Sequence, residues 1–98
     1  MRTAARVDVN QPYIVNGLRK FGATVLITSQ LKNCFDILVG YNGQDFKMEI
    51  KDGKQPPSKR KLTAGELKFK TEWKGSEYHV VLDLEQAIKI ITNKTLQN

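Results

Sequence analysis

Asp36 and Glu49 are the two acids whose spacing could do chemistry, because a hairpin centred on Asn42-Gly43 would bring them face to face. Asn-Gly is the preferred core of a two-residue type I′ turn, since both positions need positive φ. Pairing Tyr41 with Gln44 then sets Val39 against Phe46, Ile37 against Met48 and Phe35 against Ile50, one continuous apolar face. The other face would carry Leu38 opposite Lys47, Asp36 opposite Glu49 and Cys34 opposite Lys51. Directly opposed side chains lie about 4.5 to 5.5 Å apart at Cβ, where like charges repel. A divalent cation resolves that repulsion: Mg²⁺ takes oxygen ligands and is commonly held by one or two carboxylates, with waters and a phosphate completing its shell. Lys51, two residues past Glu49 on the same face, would then reach a phosphoryl oxygen or a metal-bound water and offset charge building in a transition state. The competing reading is a solvated face on which Lys47 and Lys51 neutralise the acids as ordinary cross-strand pairs.

The elements that must position these residues are legible on either side of the hairpin. Residues 2–8 read as an extended lead-in. Asn10 and Pro12 mark a helix start, Ile14, Val15, Leu18 and Phe21 recur at helical spacing, and Gly22 supplies the stop. The apolar, β-branched stretch 23–28 suits a strand buried on both faces or lying at one side of a sheet. After the hairpin, the stretch 52–61 is a loop with Gly53, Pro56 and Pro57. Thr63 and Glu66 have capping-box spacing at the head of a second helix, with Leu67, Phe69 and Trp73 as its apolar side up to Gly75. Residues 78–82 read as a further strand, and Leu84, Ala87, Ile88 and Ile91 as a last helix that frays from Thr92 onward. The expected architecture is α/β: a mixed central sheet flanked by helices.

Composition bounds the rest. Ninety-eight residues allow one domain, spanning 1–98, and 40% hydrophobic with 27% charged residues is ordinary globular usage. The apolar runs fall far short of the roughly 20 residues that span a bilayer, and no signal-peptide core is visible, so no membrane partner is expected and the cytoplasm is the default location. Cys34, the single cysteine, excludes an internal disulfide and a cysteine-rich zinc site. The segment 51–74 holds eight basic and three acidic residues, five of the six net positive charges. A block of this kind suits a polyanion, with Lys54, Lys59, Arg60 and Lys61 as the phosphate-contacting residues, or a merely solvated loop. His79 on an apolar strand reads as packed or at an edge, Cys34 as a small packing residue, and Trp73 as core rather than a base-stacking platform.

Asp36, twelve intervening residues and then Glu49-Ile50-Lys51, with both acids on consecutive strands of a hairpin, resembles the D...ExK motif of the PD-(D/E)XK nuclease superfamily. The element order is similar to its restriction-endonuclease-like αβββαβ core. The wider text is similar to small phage and prophage nucleases related to virus-type replication-repair and junction-resolving enzymes. It comprises Leu18-Arg19, Gly22-Ala23, Asp36-Ile37-Leu38-Val39-Gly40, Glu49-Ile50-Lys51-Asp52-Gly53, Pro56-Pro57-Ser58, Lys61-Leu62-Thr63 and Glu66 to Phe69. The resemblance implies Asp36, Glu49 and the main-chain carbonyl of Ile50 as ligands of Mg²⁺ or Mn²⁺, and Lys51 as the residue that positions water. It implies hydrolysis of DNA, branched or otherwise structured; since ninety-eight residues supply barely a catalytic core, a symmetric homodimer is expected for a footprint that spans a duplex. Asp8, Gln11 and Glu66 are further residues that such folds bring toward the metal. Phe35 stands where the family name has proline, and Glu66 where related phage proteins carry glutamine. The alternatives are a non-catalytic nucleic-acid-binding module and a phage protein that keeps the fold without activity.

Overall fold

The computed structural model describes residues 9–96. Helix α1 (Gln11–Phe21) is followed by β1 (Thr24–Ile27), β2 (Ile37–Tyr41), β3 (Gln44–Ile50), a 3-10 turn at Pro57–Lys59, α2 (Ala64–Glu72), β4 (Tyr78–Val81) and α3 (Leu84–Leu96). The protein is α/β, with one four-stranded mixed sheet in the order β1-β2-β3-β4. β1, β2 and β3 are antiparallel neighbours, and β4 runs parallel to β3 at the other edge. A parallel neighbour needs a crossover, here the segment from Lys51 through α2.

Local chemistry explains most of these boundaries. Pro12 sits in the first turn of α1, where its missing N–H costs nothing, and Gly22 ends the helix at φ 116°. Asn42 (φ 52°) and Gly43 (φ 80°) have the positive φ that the hairpin turn demands. The register agrees with expectation from Tyr41–Gln44 to Ile37–Met48. α2 opens with a complete capping box: Thr63 accepts from the Glu66 amide at 3.2 Å, and Glu66 accepts from the Thr63 amide at 2.9 Å.

One sheet face and the helices α1 and α3 enclose the core, with Ile14, Leu18, Ile37, Val39, Met48, Ile50, Val81 and Ile91 fully or nearly fully buried. Each such side chain contributes about 1.5 to 3 kcal/mol of transfer free energy. On the opposite face α2 meets the sheet through aromatic contacts, Phe69 lying 5.9 Å from both Phe35 and Tyr78.

Several expectations are corrected. Of the two expectations for β1, the position at one side of the sheet is the one found: it is an edge strand exposing Leu26 and Ile27, not one buried on both faces. α2 buries no residue and stops at Glu72; Leu67 is exposed, and Trp73, stacked on Phe69 at 5.1 Å, is 49% exposed rather than core. Phe35 packs against Phe69 instead of joining the core face. The last helix continues to Leu96. His79 sits on the edge strand, its ring 6.2 Å from Phe46. The lead-in at 2–8 lies outside the described residues. Among the described residues, no helix is long and apolar enough to cross a membrane.

Candidate functional site

The site begins where the hairpin ladder stops. Pairing ends at Ile37–Met48, and the Asp36 amide turns back to the carbonyl of Met48, the residue already opposite Ile37. Two residues on one strand thus face one on the other, the geometry of a bulge, which re-aims side chains. Asp36–Glu49, Phe35–Ile50 and Cys34–Lys51 are therefore not ladder pairs. The Asp36 carboxylate instead accepts the Ile50 amide through Oδ2 at 2.7 Å, which ties it to the ExK segment more firmly than simple opposition would.

Asp36, Glu49, Ile50, Lys51, Lys59 and Glu66 all line one cavity of about 470 Å³. Its floor is the end of β3. One wall is the loop between β1 and β2, pinned by the Thr28 amide to the Asp36 carbonyl (2.8 Å) and by the Thr28 hydroxyl to the Phe35 carbonyl (2.7 Å). The other wall is the 3-10 turn and the head of α2. The walls meet at Asn33 and Gly65, where any Cβ on residue 65 would lie 2.2 Å from Asn33 Oδ1.

Glu49 is 4% exposed, which removes the solvated-face reading. Burial, then the charge of Asp36, then contact with Glu66 push its carboxyl up to about 9, so in the metal-free protein it holds a proton at neutral pH. Lys51 Nζ lies 3.0 Å from Glu66 Oε1 and 3.5 Å from Glu49 Oε2. Burial opposes its charge, but the hydrogen bond and charge of Glu66 and then those of Glu49 prevail and raise its pKa. Glu66 is held below its ordinary value: burial pushes it up, and the Thr63 amide, Glu49 and Lys51 outweigh that. Tyr78 donates to the Cys34 carbonyl at 2.9 Å and lies 3.4 Å from Glu49 Oε1; burial and then the charge of Glu49 raise its pKa.

The remaining expected residues separate. Gln11 is 3% exposed and does not line the cavity; its Nε2 reaches Ser29 Oγ, which does, at 3.4 Å, and its Oε1 has no hydrogen-bond partner among the described residues. Asp8 lies outside the described residues. Lys54 lines a second cavity with Asn10, Tyr13 and Asp83. Lys61 is exposed and does not line the cavity, while Arg60 is half-buried with an Nε that has no hydrogen-bond partner among the described residues. Lys47 does not neutralise the acids: it is 4% exposed, donates to Ser76 Oγ and lies 5.3 Å from the centre of the Trp73 ring, and burial lowers its pKa. Cys34 is half-buried on the cavity wall.

Sequence reasoning missed Lys32, which lines the cavity from the β1–β2 loop, and Tyr78, which holds both that loop and Glu49. A helical or strand period marks neither. Lys32 sits in a loop without local pattern, and the placement of Tyr78 beside Lys47 depends on a parallel register that no turn sets.

Among the described residues, no group of three or more His, Cys, Asp and Glu side chains is arranged to hold a metal ion. The donor set here is smaller and all oxygen: two carboxylates beside a main-chain segment, with a third acid engaged by Lys51. That matches the sparse protein ligation typical of Mg²⁺ better than the nitrogen and sulfur sets of zinc. Comparison of the chain with family models, with curated proteins and with solved structures gave no match.

Proposed function

We propose that this protein is a metal-dependent endonuclease with a restriction-endonuclease-like core, hydrolysing phosphodiester bonds of branched or otherwise structured DNA. The observation that carries the reading is the convergence of Asp36, Glu49 and Lys51 on one cavity whose rim bears further lysines. The order of elements, with β4 added parallel to β3 at a sheet edge, supports the assignment of the core.

Asp36, Glu49 and the carbonyl of Ile50 would hold Mg²⁺ or Mn²⁺. When bound, such an ion makes its water a better nucleophile and offsets charge on the phosphoryl oxygens. The Ile50 amide fixes the Asp36 carboxylate beside that carbonyl. Tyr78 orients Glu49 from behind. Lys51, kept charged by Glu66, supplies an ammonium that orients the attacking water and offsets charge in the pentacovalent transition state. Glu66, as partner of Lys51, acts in this reading as a positioning residue.

A panel of linear, nicked, flapped and four-way DNAs, with and without Mg²⁺ or Mn²⁺, tests the proposal. Cleavage should require metal and disappear in Asp36→Asn and Glu49→Gln, while DNA affinity stays similar or rises, because Asp36→Asn removes a negative charge and Glu49→Gln replaces a carboxyl that is already protonated without metal. Normal cleavage by both variants would sink the assignment. One observation favours a second reading, a non-catalytic nucleic-acid-binding module: Lys51 is already engaged by Glu66 at 3.0 Å and lies 3.5 Å from Glu49. Metal-independent binding with no cleavage of any DNA would select it.

A further inference from the structure

The cavity holds more than a metal half-site needs. Leu31, a large apolar side chain that is 62% exposed, lines its wall, and half-buried Phe35 lines it too. Lys32 on one wall and Lys59 on the other are exposed lysines that line the same cavity as the acids. Both walls belong to segments held in place, the first by Thr28 and Tyr78 and the second by the Thr63–Glu66 box. An apolar wall, two cations and an acidic floor are complementary to the three parts of a nucleotide with its cation: base, phosphate and metal. At about 470 Å³ the space lies within the roughly 300 to 1,000 Å³ range of small-ligand pockets, the scale of a single nucleotide rather than of a duplex segment.

We propose that the cavity takes one nucleotide of an unpaired strand, its base against Leu31 and Phe35 and its phosphate between Lys32 and Lys59, above Asp36 and Glu49. The position of the phosphate over the carboxylates rests on the nuclease reading; the preference for an unpaired strand rests on the walls. A paired base is stacked and hydrogen-bonded inside the helix and cannot reach Leu31, whereas a base in a flap, gap or frayed end can, and apolar contact with its face is tolerant of sequence.

The test is fluorescence anisotropy of a labelled single strand and of the matching blunt duplex in Ca²⁺, with wild type, Leu31→Ser and Lys32→Ala. Both side chains are exposed, and melting curves of each variant confirm that the fold is intact. The expected result is binding of the single strand at least roughly tenfold tighter than of the blunt duplex. Leu31→Ser should weaken single-strand binding by roughly fivefold or more, through loss of the apolar surface that covers the base. Lys32→Ala should flatten the plot of log affinity against log salt by about 0.7, one single-strand phosphate contact. Equal or tighter binding of the blunt duplex, or single-strand binding unaltered in both variants, overturns the proposal.

Cleavage of the same DNAs in Mg²⁺ separates this inference from the one it rests on. Single-strand binding that depends on Leu31 and Lys32, with no cleavage, leaves the nucleotide pocket standing and removes the nuclease. Cleavage of blunt duplex at unaltered rates in both variants keeps the nuclease and removes the pocket.

Discussion

Glu49 and Lys51 show how little a residue type says until its surroundings are known. With its carboxyl raised from an ordinary 4.5 to about 9, Glu49 binds a proton in the folded metal-free protein that the unfolded chain has released. Stability from this group is therefore complete below about pH 4.5 and is lost as pH rises through 9. In EDTA the melting temperature of wild type should fall between those limits. Glu49→Gln, which mimics the protonated acid, should flatten that fall, and thermal scans across pH would show it. An equally steep fall in the variant would mean that another group titrates. Lys51→Ala tests the other partner. Within the nuclease reading it should retain Mg²⁺ binding by calorimetry and cleave on the order of 100-fold more slowly, the loss typical of one preorganised electrostatic contact. Unaltered cleavage would reduce Lys51 to a counter-ion of Glu49 and Glu66.

At the scale of elements, α2 is the informative case. It buries no side chain, so it leans on its cap and on aromatic contacts at Phe69 more than a core helix does. Loss of the Thr63 cap should cost about 1 kcal/mol. Thr63→Ala keeps the residue-63 amide that donates to Glu66 Oε1 but removes the hydroxyl that accepts the Glu66 amide, so the turn that carries Glu66, and with it the grip on Lys51, should loosen. Hydrogen exchange would show faster opening across residues 64–72 than in α1, and equal protection in wild type and variant would refute the dependence. The capping box was readable because it is local: four consecutive residues carry both hydrogen bonds. The Asn42-Gly43 hairpin was readable for the same reason. Its limit was equally physical, since turn chemistry sets register outward from the turn and cannot foresee the offset at Asp36 that ends the ladder.

Across the whole molecule, the basic segment is divided by the fold. Lys59 faces the acidic cavity while Lys54 faces a different one beside α1. Lys59→Ala should therefore flatten the salt dependence of DNA binding by about 0.7 to 0.9, and Lys54→Ala should leave it unaltered. Equal slopes for the two variants would show that the cavity does not orient the DNA. Taken alone, the order of residues determined the helix starts and the stop of α1 at Gly22, the hairpin and most of its register, the α/β class, the grouping of Asp36, Glu49 and Lys51, and the concentration of charge in 51–74. These follow from contacts between near neighbours in the chain. Only the tertiary structure decided that Glu49 is buried, that Glu66 holds Lys51, that Tyr78 reaches Glu49 from a parallel strand, that Trp73 is half exposed, and that Lys32 joins Lys59 around the same cavity. Each of those depends on segments distant in the chain packing against one another, and burial, which sets the proton affinity of the acids, exists only after they have.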